Sequence, residues 1–368
     1  MPKIVHIQVI PKMSGVQQVS FDILKNLPND FEKYIVFGGM YECKDNIVEK
    51  FSNIGVKVIF IDSLRREIGF NDILSIIELY KFFKKEKFDI IHTNSTKPGI
   101  VARFAAWLSG CKKVVHTVHG IAFHRFEKLH KRIFFYLIET FFCFFSNTLI
   151  SVNNHYLKFY PHVKNKICIY NSIDFIKKSQ RDFNDDSDRP ITVGFISRLD
   201  KQKDPITFLK AIEYGNRVGL FSQENVKVII GGDGELKALC EAFVENERLS
   251  CQVKFKGWVS NKDDFFKEID ILCLPSIFEA FGLVFLEAGI FGIPSIASNV
   301  EGIPEIVKND KNGFLVEPKN HIEIAQRISN YLKDRSLLKR HGMEAKRIVE
   351  EDFRMKDMLE KYLEVYKI

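Results

Sequence analysis

The sequence predicts an α/β protein of two domains, each a doubly wound parallel sheet with helices on both faces. Three observations lead there. Short apolar runs alternate with longer helical patterns, which is how βαβ units read. The alternation breaks once, at the polar stretch 174–190 (DFIKKSQRDFNDDSDRP), and then restarts. The length of 368 residues suits two domains at roughly 100–200 residues each.

In the first half, strands are predicted at 4–9, 34–37, 56–61, 88–92, 114–118 and 148–152. These runs are too short for helices and continuously apolar, as expected of strands buried on both faces. Helical spacing occupies 16–26, 72–85 and 98–109 between them. After Pro190 come strands at 192–196, 226–230, 253–255, 271–274 and 295–297. Helices fall near 205–214, 235–245, 283–291 and 321–332, and the helical stretches 336–350 and 356–366 have no strand after them. The expected domains are 1–175 and 191–350, joined by a linker at 176–190, with a C-terminal helix within 351–368 packing back toward the first domain. Two such domains facing each other form a cleft at the carboxyl ends of their strands, where such folds bind ligands.

Composition narrows the function. At 46% hydrophobic and 27% charged, the chain is neither disordered, collagen-like nor a disulfide-stapled mini-protein. The formal charge of +7 divides into +11 for residues 1–180 and −4 for the remainder. The basic half either meets an anionic partner or presents a solvated basic surface. Seven scattered cysteines without a CxxC pair favour a reducing compartment and give no zinc framework. The first residues lack the pattern of a signal peptide. The best membrane-span candidate, 133–152, is interrupted by Glu139, Thr140, Ser146 and Asn147. The expectation is a cytoplasmic protein, soluble or peripheral to a membrane.

Several familiar patterns are absent or misplaced. The first βα turn holds one glycine, Gly15, where a dinucleotide fingerprint needs three. No GxxxxGK[ST] or HExxH occurs. The pair Asp186 and Asp188 has metal-binding spacing but sits in the acidic, hydrophilic linker. No basic–aromatic strand motif or helix-turn-helix pattern points to nucleic acid.

Two motifs hold. Residues 274–287 (LPSIFEAFGLVFLE) run off a strand, through a turn and into a helix beginning near Gly282. The first N–H groups of a helix lack internal partners, so such an end is an anion site. Glu279 and Glu287 flank it, placed to accept hydroxyl hydrogen bonds from a sugar; the alternative makes Glu279 a charge favouring the helix dipole and Glu287 surface. The second motif, 194–205 (GFISRLDKQKDP), follows the first strand of the second domain. Its Arg198 and Lys203 suit a diphosphate clamp, Arg through its planar fork and Lys as a point charge.

The spacing Glu279…Glu287 around Phe281-Gly282-Leu283-Val284, the Ser197-Arg198-Leu199…Lys203 loop and Gly232-Asp233-Gly234-Glu235-Leu236 together resemble retaining glycosyltransferases of the GT-B fold, family 4. The resemblance covers nearly the whole chain and is strongest over 191–307. It implies that Glu279 contacts the transferred sugar and Glu287 the nucleotide ribose. Arg198 and Lys203 stabilise the departing diphosphate, and Phe281, Gly282, Leu283 and Val284 offer backbone N–H groups. His119, in Thr117-Val-His-Gly-Ile, resembles the family's active-site histidine; the competing reading is a core histidine at a strand end. Gly194, Gly232 and Gly15 complete the implied nucleotide-sugar-binding set. The chain departs from the family at Ser14-Gly15, where many members have Gly-Gly, at Ser172 in the usual Asn-Gly-Ile-Asp hinge, and at Glu301-Gly302-Ile303-Pro304-Glu305, which has one glycine. Pro304 and Glu305 also suit the start of a helix.

The expected function is retaining transfer from a nucleotide diphosphate sugar, a UDP-linked hexose or N-acetylhexosamine, in cell-surface polysaccharide synthesis (O-antigen, capsule or exopolysaccharide). No cofactor or metal is expected, because Arg198 and Lys203 supply the cations. The expected acceptor is a saccharide on polyprenyl diphosphate at the inner-leaflet membrane surface. The basic segment 124–132 (HRFEKLHKR), continued by a Phe-rich run to 145, reads either as a membrane-surface helix or as a helix packed on the sheet. Alternatives are a nucleotide-sugar epimerase or hydrolase on the same fold, or a non-catalytic subunit.

Overall fold

The computed structural model describes residues 1–41, 45–67, 69–174 and 189–367, so Asp186, Asp188 and most of the 176–190 linker lie outside the described residues. The chain forms two compact units, residues 1–171 with 355–368 and residues 172–354.

The first unit runs β1 (Lys3–Ile7), α1 (Gly15–Asn26), β2 (Glu32–Gly38), α2 (Asp45–Ser52), β3 (Val56–Ile61), α3 (Asn71–Glu86), β4 (Ile90–Asn94), α4 (Thr96–Ser109), β5 (Lys113–Val118), α5 (Leu129–Phe142), β6 (Thr148–Ser151), α6 (Asn154–Leu157) and β7 (Lys166–Cys168). All seven strands are parallel, in the order β3-β2-β1-β4-β5-β6-β7. The central strands are buried on both faces: Ile4, Val5, Ile7, Ile90 and Ile91 are fully buried, and so are His6 and His92. The order reverses between β1 and β4, so the loops leaving those strands diverge and open a crevice at the carboxyl edge.

The second unit runs β8 (Ile191–Ile196), α7 (Pro205–Arg217), β9 (Val226–Gly231), α8 (Lys237–Asn246), β10 (Val253–Gly257), α9 (Lys262–Glu268), β11 (Ile271–Leu274), α10 (Leu283–Ile290), β12 (Ser295–Ser298), α11 (Ile303–Ile306), β13 (Gly313–Val316), α12 (His321–Lys333) and α13 (Arg335–Asp352). Its six parallel strands are ordered β10-β9-β8-β11-β12-β13, with the reversal between β8 and β11. The last helix, α14 (Met355–Tyr366), belongs to the first unit.

Two strands were not visible in the apolar pattern: β7 with three residues and β13 with four. Such strands are held by pairing with the strand beside them, Gly313 opposite Ser295 for instance, rather than by alternation of their own. The stretch 133–152 is not one element; α5 ends at Phe142, a tight turn covers Cys143–Phe145, and β6 follows. The basic segment 124–132 is helical only from Leu129, so Arg125 and Lys128 stand on the turn before the helix. Among the described residues no helix is long and apolar enough to cross a membrane.

Candidate active site

Both motif loops of the second unit leave its sheet at the switch point. The loop 197–204 follows β8 and the loop 275–282 follows β11, and these strands are neighbours. Gln202 ties the two loops together: its carbonyl accepts the Ile277 N–H at 2.8 Å, and its side-chain amide donates to the Phe278 carbonyl at 3.1 Å. That clasp carries Lys203 to Glu279, with which it forms an ion pair. Both side chains are mostly buried, at 12% and 14% exposure, so this pair is shielded from solvent far more than a surface one. Arg198 stays 61% exposed, braced by Asp200 at 3.1 Å and Gln202 at 3.2 Å.

Gly282 caps α10 with φ of +81°, a conformation that favours glycine, and a Cβ there would meet the Phe285 ring at 2.7 Å. The turn leaves the N–H groups of Gly282, Leu283 and Val284 without partners among the described residues, whereas Phe285 donates back to the Gly282 carbonyl at 3.0 Å. Phe281 is buried against Phe353, ring centroids 5.8 Å apart, so its side chain packs while its backbone borders the helix end. Glu287, one turn into α10, holds Lys262 through both carboxylate oxygens at 2.8 Å. Lys262 was not foreseen; it lies 25 positions from its partner, on the first turn of α9.

The predicted glycines divide by role. Gly232 (φ +134°) follows β9, and a Cβ there would collide with the Ser197 carbonyl at 1.8 Å. Its bareness lets the β9 loop press against the Arg198 loop, where Leu199 N–H reaches the Asp233 carbonyl at 3.0 Å. Gly194 lies mid-strand in β8 beneath Ile269, which would contact a Cβ at 2.6 Å. Packing alone therefore demands a glycine at 194. Glu305 lies in the first turn of α11 with Pro304 ahead of it, as suits a helix start.

In the first unit, Gly15 opens α1 behind Ser14, and His119 follows β5. His119 Nε2 lies 3.0 Å from Asn94 Oδ1. Burial first, and the His116 imidazole second, push the His119 pKa down to about 3, so it is a neutral ring. Beneath it lies a buried polar network. His92 contacts Thr117 Oγ1 at 2.7 Å and the Tyr366 hydroxyl at 2.6 Å, and that hydroxyl is 3.1 Å from His6. His116 meets Thr93 Oγ1 at 2.9 Å and Glu139 at 3.5 Å, and Arg103 donates to Glu139 at 2.9 Å. Burial alone would raise the Glu139 carboxyl, but the Arg103 charge and His116 hold it at about 2. Among the described residues no three His, Cys, Asp or Glu side chains gather as a metal would require.

Residues 176–348 match the family Glycosyl transferases group 1, and residues 43–153 match Glycosyl transferase 4-like. An Escherichia coli UDP-Gal:alpha-D-GlcNAc-diphosphoundecaprenol alpha-1,3-galactosyltransferase is 33% identical over 332 residues, covering 86% of this chain and 84% of its own. The chain belongs to the group 1 glycosyltransferases. The capsular polysaccharide biosynthesis glycosyltransferase CapM of Staphylococcus aureus is 24% identical, covering 95% of this chain and 93% of its own. Anabaena Alr3699/HepE, solved in complex with UDP and glucose, superposes with a TM-score of 0.81 at 18% identity, covering 99% of both chains. That likeness shows the fold of this glycosyltransferase: GT-B, with two Rossmann-like domains.

Proposed function

We propose that this glycosyltransferase moves a hexose or N-acetylhexosamine from a UDP-linked donor to a saccharide on polyprenyl diphosphate, as a family 4 enzyme with retention at the anomeric carbon and without a metal ion. The observation that carries the reading is the pairing of two loops at one switch point. Arg198 and Lys203 stand on the first, and the open N–H groups of α10 on the second. Together they supply fixed positive potential where charge grows on a departing diphosphate, which is electrostatic preorganisation. Glu279 accepts hydroxyl hydrogen bonds from the transferred sugar, and Glu287 those of the ribose. His119, a neutral ring, contacts the donor sugar. The glycosidic C–O bond breaks toward the diphosphate, and a leaving phosphate oxygen takes the acceptor hydroxyl proton as the new C–O bond forms on the same face. No protein nucleophile takes part.

The E. coli relative supports this choice of substrates, since it is named for UDP-Gal and a diphosphoundecaprenol-linked acceptor. Such an acceptor sits in the cytoplasmic leaflet, so the enzyme works as a peripheral protein there, with residues 124–145 against the lipid, in O-antigen or capsule assembly. A thermal-shift panel of nucleotide diphosphate sugars tests the donor, because a ligand of the native state raises the melting temperature. Transfer to the lipid-linked acceptor in excess EDTA should proceed. A strict need for Mg²⁺ would refute the metal-free reading, and donor turnover without acceptor would favour an isomerase or hydrolase.

A further inference from the structure

α3, α4 and α5 form one layer on the first unit's sheet, with α4 packed against both neighbours. The topology requires it: the crossovers from β3 to β4, β4 to β5 and β5 to β6 all step the same way across the sheet, and right-handed crossovers then share a face. Both flanking helices of this layer carry their apolar stripes outward. On α5 the one buried residue is Glu139, drawn inward by Arg103, while Leu129, Ile133, Phe134, Leu137 and Phe141 are 52–68% exposed. On α3 the buried residues are Ser75, Leu79 and Phe83. Opposite them, Ile73, Leu74 and Ile77 are 60%, 52% and 43% exposed, and Phe70, just before the helix, 91%. The i, i+3, i+4, i+7 spacing is that of an amphipathic helix facing an apolar partner. The second unit has no comparable stripe among its described residues; its exposed large apolar side chains are Val218, Leu239, Trp258, Ile322 and Met343, scattered over separate elements.

Charge selects the partner. The α3 stripe is continued by exposed Lys81, Lys84, Lys85 and Lys87, and the α5 stripe is preceded by exposed Arg125 and Lys128 and flanked by exposed His130 and Lys131. Apolar side chains with cations beside them match an anionic lipid surface, where rings and aliphatic chains enter the headgroup boundary and lysines meet phosphate. Neighbouring helices pack about 8–10 Å apart, so α3 lies roughly two such spacings from α5. A flat surface can touch both. We propose that α3 is a second foot on an anionic bilayer, separate from α5, through Phe70, Ile73, Leu74 and Ile77. The proposal rests on the reading that the acceptor is presented at a membrane.

Sedimentation with vesicles of phosphatidylcholine, with and without phosphatidylglycerol, tests it on the full chain. Ile73→Glu/Ile77→Glu and, separately, Ile133→Glu/Leu137→Glu alter exposed positions, and unchanged melting curves would show that each variant folds. The expected result is that wild type binds the anionic vesicles, that salt weakens binding, and that each double variant lowers partitioning at least tenfold. If the α5 variant detaches and the α3 variant binds like wild type, α3 is not a foot, while the membrane reading stands. If wild type ignores both vesicle types, both ideas fall. A wild-type dimer in size exclusion that the α3 variant alone splits, with vesicle binding unaltered, assigns the stripe to a second copy and overturns the proposal. Nucleotide-induced melting shifts are independent of these outcomes and continue to report on the donor site.

Discussion

Acidification should destabilise the first unit well before its carboxylates titrate. His6, His92 and His116 are 0–1% exposed. Burial holds their imidazoles below the ordinary value of 6.5: His6 at about 3, His92 well below, and His116 at about 4 with the Arg103 charge as second cause. Well above pH 6.5 each ring is neutral folded or unfolded, so none contributes a pH dependence there. Below it, the unfolded chain binds protons that the folded one refuses, and stability is lost as pH falls toward the folded pKa values. From pH 7.5 to 5.5 each ring costs about 1.4 kcal/mol, so the three cost about 4 kcal/mol. That is a large share of a typical margin of about 5–15 kcal/mol. Glu139 and Glu32, both lowered to about 2, protonate in the unfolded chain only near 4.5 and so hardly act in this window.

The two tryptophans make the measurement specific, since Trp107 lies in α4 and Trp258 in the second unit. In a Trp258→Phe variant, urea unfolding followed by Trp107 fluorescence reports the first unit alone. With a slope near 2 kcal/mol per molar, the midpoint should fall by about 2 M between pH 7.5 and 5.5. An unchanged midpoint, or uptake of fewer than two protons on unfolding at pH 5.5, would refute the claim that these rings are buried neutral.

Three further outcomes follow from the site and its supports. Lys203→Ala removes a fixed cation and strands a mostly buried Glu279; kcat should drop by about 100-fold or more, and a loss under threefold in steady-state assays would count against the assignment. Gly282→Ala forces a Cβ into a left-handed turn at a cost of about 1–2 kcal/mol and against the Phe285 ring; the melting shift induced by a donor should vanish while the ligand-free melting temperature falls by only a few degrees, and an intact shift would contradict the α10 anion site. Arg103→Met leaves Glu139 buried without the guanidinium that pairs its charge, which should destabilise the first unit by about 3–5 kcal/mol in the same fluorescence assay; Arg103→Met with Glu139→Leu should recover most of it.

Strands long enough to show an apolar run were legible, and Val56–Ile61 and Ile271–Leu274 stand where the pattern placed them. β7 and β13 were not, because runs of three and four residues are too short to show a pattern of their own and gain strand geometry from the strand beside them. Arg198, Lys203, Glu279 and Gly282 lie on two loops that leave neighbouring strands, and that placement was legible because a loop that follows a strand has little freedom in where it goes. Lys262 was not, since nothing local ties a lysine on α9 to a carboxylate on α10. The outward stripe of α5 was half legible: the phenylalanines were conspicuous, but only the buried Arg103–Glu139 contact reveals which way the helix is turned. Gly194 has a packing reason that its position beside a motif does not reveal, since a Cβ there would meet Ile269.

The position of α14 has a bearing on the order in which the molecule can be assembled during synthesis. Tyr366 supplies the hydroxyl between His6 and His92, although 274 positions separate it from His92 and 360 from His6. A ribosome makes the whole second unit before it makes that tyrosine. The first sheet can therefore pair its strands early, and its two central imidazoles can already reach Ser20, Thr117 and each other, but the hydroxyl they share is missing until synthesis has passed residue 366. Until then the nascent first unit lacks that contact, and any fragment cut at the unit boundary inherits the same defect.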